Sequence, residues 1–244
     1  MKAAPWIAFW TKRLTTVVLG AMALWLSTGS GWAAETSSDA AKPVDLTSKY
    51  PVPLSALTNS GWLAMKTIPV GHQVFHHVPF DIGGELHLWG YGRSTNNTSP
   101  YPERITDIEA NRQFETLYVY HGSYYKTPEG TPVCKVVLRY EDGTSATNTL
   151  KFGADILDWM VGSHEEPLNT PYATNSMLAW VGGQFSENQK NRLRFCMTAL
   201  DNPHPDRTVG TIDLISCKTM TVPIILAMTT GPAGLMKGNT SGRK

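Results

Sequence analysis

The stretch VVLRYEDGTSATNTLKFGADILDWM, residues 136–160, holds two strand patterns, a turn signal between them and a change of pattern at its end. Residues 136–140 are apolar and β-branched, Asp142-Gly143 is a strong hairpin dipeptide, and residues 146–152 alternate as a returning strand. A type I′ turn, with positive φ at both Asp142 and Gly143, is the expected connection. After Phe152 the period of two stops. Asp155, Asp158 and Trp159 then fall in a segment bracketed by Gly153 and Gly162, which reads as a loop leaving a sheet edge, where binding groups concentrate.

Outward from this hairpin the chain repeats the same signal. Residues 66–82 give strand-like pieces interrupted by Pro69, Gly71 and Pro79, as at edges and bulges. In ELHLW (85–89) Leu86 and Leu88 face one way and Glu85, His87 and Trp89 the other. FETLYVYHG (114–122) carries apolar bulk on both faces, which suits a central strand packed on both sides. Further strands are expected at 105–110, 177–181, 193–200, 209–216 and 222–228, while 91–102, 123–132 and 161–175 read as loops. No segment before the hairpin has the length and 3.6-residue period of a helix. Short strands at even spacing predict an all-β fold, an antiparallel β-sandwich of jelly-roll type.

The ends read differently. Lys2, Lys12 and Arg13 precede the uncharged apolar run 14–26 and a small, polar stretch, the anatomy of a secretory signal peptide over residues 1–33. The run is shorter than the roughly twenty residues of a spanning helix, so no membrane span is expected in the mature chain. Residues 34–53 read as a disordered linker, 54–229 as one sandwich domain, and 230–244 as a disordered tail. Removing the leader takes away three positive charges and leaves 18 basic against 20 acidic residues. With no basic run to track phosphates, nucleic acid is not expected as a partner.

Several constellations that carry chemistry are missing. Cys134, Cys196 and Cys217 all lie in strand-like runs and read as buried small side chains, with one bridge and one free thiol as the alternative. No CxxC or Cys/His zinc spacing occurs. His72, His76, His77 and His87 are concentrated in one region, but His76 and His77 would point to opposite faces of a strand and nothing completes a metal set. No GxSxG elbow is present, so a serine hydrolase is not supported.

The order of VPFDIGG (78–84), VVLRYEDGT (136–144), FGADILDW (152–159), MLAWVGG (177–183), LDNPHP (200–205) and TIDLIS (211–216) resembles the galactose-binding-like β-sandwich domains of exported bacterial proteins, a group that includes many carbohydrate-binding modules. The resemblance covers residues 62–229. It implies a secreted or envelope protein that binds carbohydrate or glycoconjugate without catalysis, with a structural or envelope-protein-binding role as the alternative and glycoside hydrolysis as a weaker one.

Sugars present apolar C–H faces and hydroxyl rims, so their sites pair aromatic platforms with polar side chains. Trp159 beside Asp158 has both parts, with Trp180, Asn202 and His204 as further candidates; a core position is the competing reading for Trp159, Trp180 and Trp89. Asp155 and Asp158 read as turn-capping carboxylates, as ligands of a structural calcium or, least, as a catalytic pair. No other cofactor is expected.

Overall fold

The structure, a computed structural model, describes residues 41–51, 53–54, 67–92, 94–161, 174–183 and 192–236, all within the unit Thr36–Lys244. The expected leader, residues 55–66 and most of the loop 161–175 lie outside the described residues. The strands are β1 (Lys42–Pro43), β2 (Gly71–Phe75), β3 (Val78–Ile82), β4 (Leu86–His87), β5 (Arg104–Arg112), β6 (Thr116–Tyr124) and β7 (Pro132–Tyr140). They continue as β8 (Ser145–Lys151), β9 (Met160–Val161), β10 (Ser176–Gly182), β11 (Arg192–Asp201), β12 (Val209–Ser216) and β13 (Val222–Gly231). Helix is almost absent among the described residues.

Two antiparallel sheets pack face to face. One runs β1-β13-β6-β11-β10, with β4 beside β13 and β9 beside β11; the other runs β5-β12-β7-β8. Alternation along β6 explains why it is buried from Thr116 to Ser123. Leu117 and Val119 point inward with Ile225 and Met228 of β13, against Val136 and Leu138 of β7 and Ile212 and Leu214 of β12. Tyr118 and Tyr120 point outward and form a second cluster with Ile224, Phe195, Met197 and Trp159, closed by Val78, Phe80 and Ile82 of the β2–β3 hairpin. The fold is thus an all-β sandwich with a hairpin laid over its outer face. Leu86 and Leu88 join the inner core, as their alternation requires.

The β7–β8 hairpin forms in the expected place, with Arg139 opposite Ser145, but on a different turn. The Gly143 amide donates to the Tyr140 carbonyl at 3.0 Å, the Tyr140 amide donates to the Thr144 carbonyl at 3.0 Å, and positive φ falls on Gly143 (+84°) and not on Asp142. A three-residue loop of the type I plus bulge kind therefore replaces type I′. Asp142 contributes its side chain instead, with Oδ1 accepting from the Thr144 amide at 2.9 Å.

Positive φ at both turn residues occurs elsewhere. His76 (φ 46°) and His77 (φ 67°) form the two-residue connection of β2 and β3, where Phe75 pairs with Val78. They are turn residues, not opposite faces of one strand, because the right-handed twist of a tight hairpin favours primed turns even without glycine.

Both expected domain limits need correction within the described residues. In the stretch read as linker, β1 pairs with β13, the Val44 amide donates to the Met228 carbonyl at 2.9 Å, and Val44 and Leu46 are buried in the inner core. In the stretch read as tail, β13 continues through Thr230 and Gly231 and Leu235 is buried. The Tyr118 hydroxyl ties that end down, donating to the Pro232 carbonyl at 2.6 Å and accepting from the Leu235 amide at 3.1 Å. Such segments are held by main-chain groups and a few anchors, which composition does not register.

The three cysteines are free; Cys134 and Cys196 are buried and Cys217 partly so. Burial pushes the Cys134 thiol up to about 12 and the Cys196 thiol up to about 11.

Candidate functional site

The six residues singled out in the sequence do not form one site. Asn202 is buried and committed to the fold: Oδ1 accepts from the Tyr140 hydroxyl at 2.6 Å and the His204 amide at 3.0 Å, and Nδ2 donates to the Phe114 carbonyl at 2.9 Å. His204 packs its ring edge-on to Tyr140, with centroids 5.5 Å apart. Trp180, on β10, is half-buried and stacks on Phe195 at 5.8 Å. Asp155 is buried, and both carboxylate oxygens accept hydrogen bonds, Oδ2 from the Lys151 amide at 2.7 Å and Oδ1 from Asn175 Nδ2 at 2.8 Å. This is turn capping. Among the described residues no group of three or more His, Cys, Asp or Glu is placed to hold a metal ion.

Trp159 is 3% exposed, with its ring edge-on to Tyr124 at 5.0 Å and tilted against Phe195 at 6.2 Å. It is a core side chain rather than an open platform. Trp159 and Asp158 both lie on the wall of a cleft of about 920 Å³.

That cleft is aromatic. Tyr91 and Tyr101 come from the segment between β4 and β5, Tyr124 and Tyr125 from the end of β6, and Trp159 and Met160 from the start of β9. Each loop is locked by local chemistry. The Tyr91 and Gly92 amides donate to the Thr219 and Met220 carbonyls at 3.1 and 3.0 Å, tying the first loop to the entry of β13. Gly92 has φ +54°, and a Cβ there would come within 2.5 Å of the Tyr125 ring, so glycine lets that ring lie against the loop. Ser94 and Thr98 join their hydroxyls at 3.0 Å across the same loop. Tyr125 has φ 64° and leaves β6 in a left-handed conformation that is rare for an aromatic residue; such outliers concentrate where a side chain must be aimed. The Trp159 amide donates to the Ser123 carbonyl at 2.9 Å, which brings the β9 segment alongside β6.

Against the tyrosine wall sits an ionisable pair, Glu85 buried and His87 partly so. Glu85 is 2% exposed, and Oε2 lies 3.2 Å from His87 Nε2 without hydrogen-bond geometry. The His87 ring packs against Tyr101 at 4.7 Å and stacks on Tyr124 at 5.4 Å, both of which line the cleft. Burial first, and then the Glu85 charge among the smaller causes, raises the hydroxyl pKa of Tyr101 and of Tyr124. Both stay neutral donors and acceptors at physiological pH. A charge buried with incomplete pairing is costly, and such groups concentrate at functional sites.

Sequence reasoning missed Tyr91, Tyr101, Tyr124 and Tyr125. The available signal was tyrosine density at strand ends, YGR at 91–93, YP at 101–102 and SYY at 123–125.

Comparison of the chain with family models, with curated proteins and with solved structures gives no match. The class that the fold and the site define is therefore structural: an antiparallel β-sandwich with a tyrosine-walled cleft at the end of its outer face. No helix among the described residues is long and apolar enough to cross a membrane.

Proposed function

We propose that this protein is an exported, noncatalytic β-sandwich of jelly-roll, galactose-binding-like type that binds carbohydrate or glycosylated envelope material in the tyrosine-walled cleft. The observation that carries this reading is the convergence of four tyrosines and Trp159 with Asp158, Ser94 and Thr98 on one concave surface. Aromatic faces offer stacking to the C–H face of a sugar, while hydroxyls and a carboxylate offer directional partners to its rim. The jelly-roll assignment draws support from the interleaving of strands, in which β12 returns between β5 and β7 and β13 returns beside β6.

Glycan-array screening of the full chain, followed by calorimetry on the best ligand, tests the reading. Tyr125→Ala and Tyr101→Ala should each weaken binding at least about tenfold, the loss expected for one stacking contact, with thermal melts close to wild type. Absence of binding to every glycan on the array would remove the proposal.

A further inference from the structure

Two neighbouring residues at one strand end line the same cleft, against the rule of alternation. Tyr124 closes β6 and Tyr125 follows it; both are half-buried and both line the cleft. Consecutive side chains of a strand point to opposite faces. Tyr125 departs from that rule through its left-handed backbone, φ 64°, which brings its ring to the side of Tyr124. The two rings then stand 6.5 Å apart between centroids, with their planes 67° apart. Two residues hold this corner. The hydroxyl of the fully buried Thr221 donates to the Tyr125 carbonyl at 3.1 Å. Gly92 lies against the ring, where a Cβ would come within 2.5 Å of it, and its amide is tied to the carbonyl of Met220, the neighbour of Thr221.

We infer, resting on the carbohydrate reading above, that this corner selects a bent glycan, one with axial linkages whose successive sugar rings turn relative to one another, over a flat, all-equatorial ribbon. A β-1,4-linked glucan shows its successive C–H faces in parallel planes along a ribbon, so its matching platform is a set of coplanar rings. The successive residues of an α-1,4-linked glucan are turned, and their C–H faces meet Tyr124 and Tyr125 at an angle. Each stacked face adds to affinity, and the bent chain gains both. Tyr125 is the specificity-determining residue. Gly92 and Thr221 are positioning residues that act through the angle of its ring.

The test is calorimetry of maltohexaose and cellohexaose on the full chain, two neutral glucose hexamers that differ only in the linkage. The α-linked hexamer should bind about tenfold more tightly, the size of one aromatic face. Tyr125→Ala should reduce that ratio to within about threefold. Gly92→Ala and Thr221→Val, which keep the ring and disturb its angle, should reduce the ratio in the same direction. Thermal melts establish that the variants fold; if Gly92→Ala does not, Thr221→Val decides the positioning role. Equal or tighter binding of cellohexaose overturns the preference and leaves carbohydrate binding standing. A ratio unchanged in Tyr125→Ala overturns the assignment to this corner, and one unchanged in the folded positioning variants overturns their role. Failure of both hexamers, in a protein that binds another glycan on the array, overturns the inference alone; failure of every glycan removes the carbohydrate reading with it.

Discussion

The two faces of the seven-stranded sheet are finished by different chemistry. Inward, Leu86, Leu88, Leu117, Val119, Ile225 and Met228 meet a second sheet whose β7 and β12 present Val136, Leu138, Ile212 and Leu214. Outward, Tyr118, Tyr120, Phe195 and Trp159 meet a two-stranded hairpin that brings Phe75, Val78, Phe80 and Ile82. Sheet-on-sheet packing covers the inner face along its length, so medium-sized aliphatic side chains fill it. A hairpin covers less, and large rings complete the outer face by packing on one another, as Phe75, Phe80 and Phe195 do around Tyr120 at 5.0, 5.7 and 5.6 Å. None of the described cleft-lining residues comes from the hairpin, and the aromatic cluster continues through Tyr124 and Trp159 into the cleft wall. Partial cover thus leaves a cleft at one end of the outer face.

The inner face also carries a buried imidazole. His121 shares the face of Leu117 and Val119 by alternation, is fully buried, and donates from Nε2 to Thr198 Oγ1 at 2.8 Å, because that hydroxyl already donates to the Asp155 carbonyl at 2.8 Å. Nδ1 is left as an acceptor without a hydrogen-bond partner among the described residues. Burial lowers the His121 pKa from 6.5 to about 3, so the ring is neutral in the fold.

The largest effect should come from breaking the aromatic face. Phe195→Ala empties a site that touches Tyr120, Trp159 and Trp180 and should cost about 3 to 5 kcal/mol in urea unfolding. A loss below about 1 kcal/mol would show that the outer face is a loose cover and not a second core.

The buried imidazole of the inner face should appear as a pH slope. The folded pKa of His121 lies below the unfolded one, so between about 6.5 and about 3 the unfolded chain binds a proton that the folded chain does not. Its contribution is complete above pH 6.5 and is lost on acidification through that window, at about 1.4 kcal/mol for each pH unit. His121→Gln, compared with wild type by denaturation from pH 7 to pH 4, should flatten the slope; parallel curves would mean that the imidazole titrates without cost.

The smallest effect concerns the cover itself. Replacing His76-His77 by Asn-Gly suits a turn with positive φ at both positions and should raise stability by up to about 1 kcal/mol. The contact of His76 Nε2 with the Leu178 carbonyl, 2.9 Å at an exposed position, would be lost and offset part of the gain. A lower unfolding midpoint would show that this contact to β10 holds the cover in place.

Much of the architecture was legible in the sequence because alternation with a period of two is a local property. Residues 136–152 named a hairpin, ELHLW separated Leu86 and Leu88 from Glu85 and His87, and FETLYVYHG announced a strand buried on both sides. Turn types were less legible. Asp-Gly suits several hairpin loops, and His-His advertises none, so the twist of the paired strands made the choice. The ordered arm around Val44 and Leu46 and the segment at Leu235 carry no periodic signal, since they are held mainly by main-chain groups.

The site was decided by tertiary structure. Asp158, Trp159, Trp180, Asn202 and His204 stood out because aromatic and polar residues were adjacent in the chain, yet Asn202 fastens a turn and Trp159 fills a core. The cleft is assembled from Tyr91 and Tyr101, Tyr124 and Tyr125, and Trp159, which lie on three segments. Sequence alone determined which residues lie in strands and which side chains alternate to the core, because both follow from backbone geometry within a few residues. Which rings face one another across a cleft depends on how β6, β9 and the loop after β4 are brought side by side by sheet pairing, and no local pattern encodes that distance.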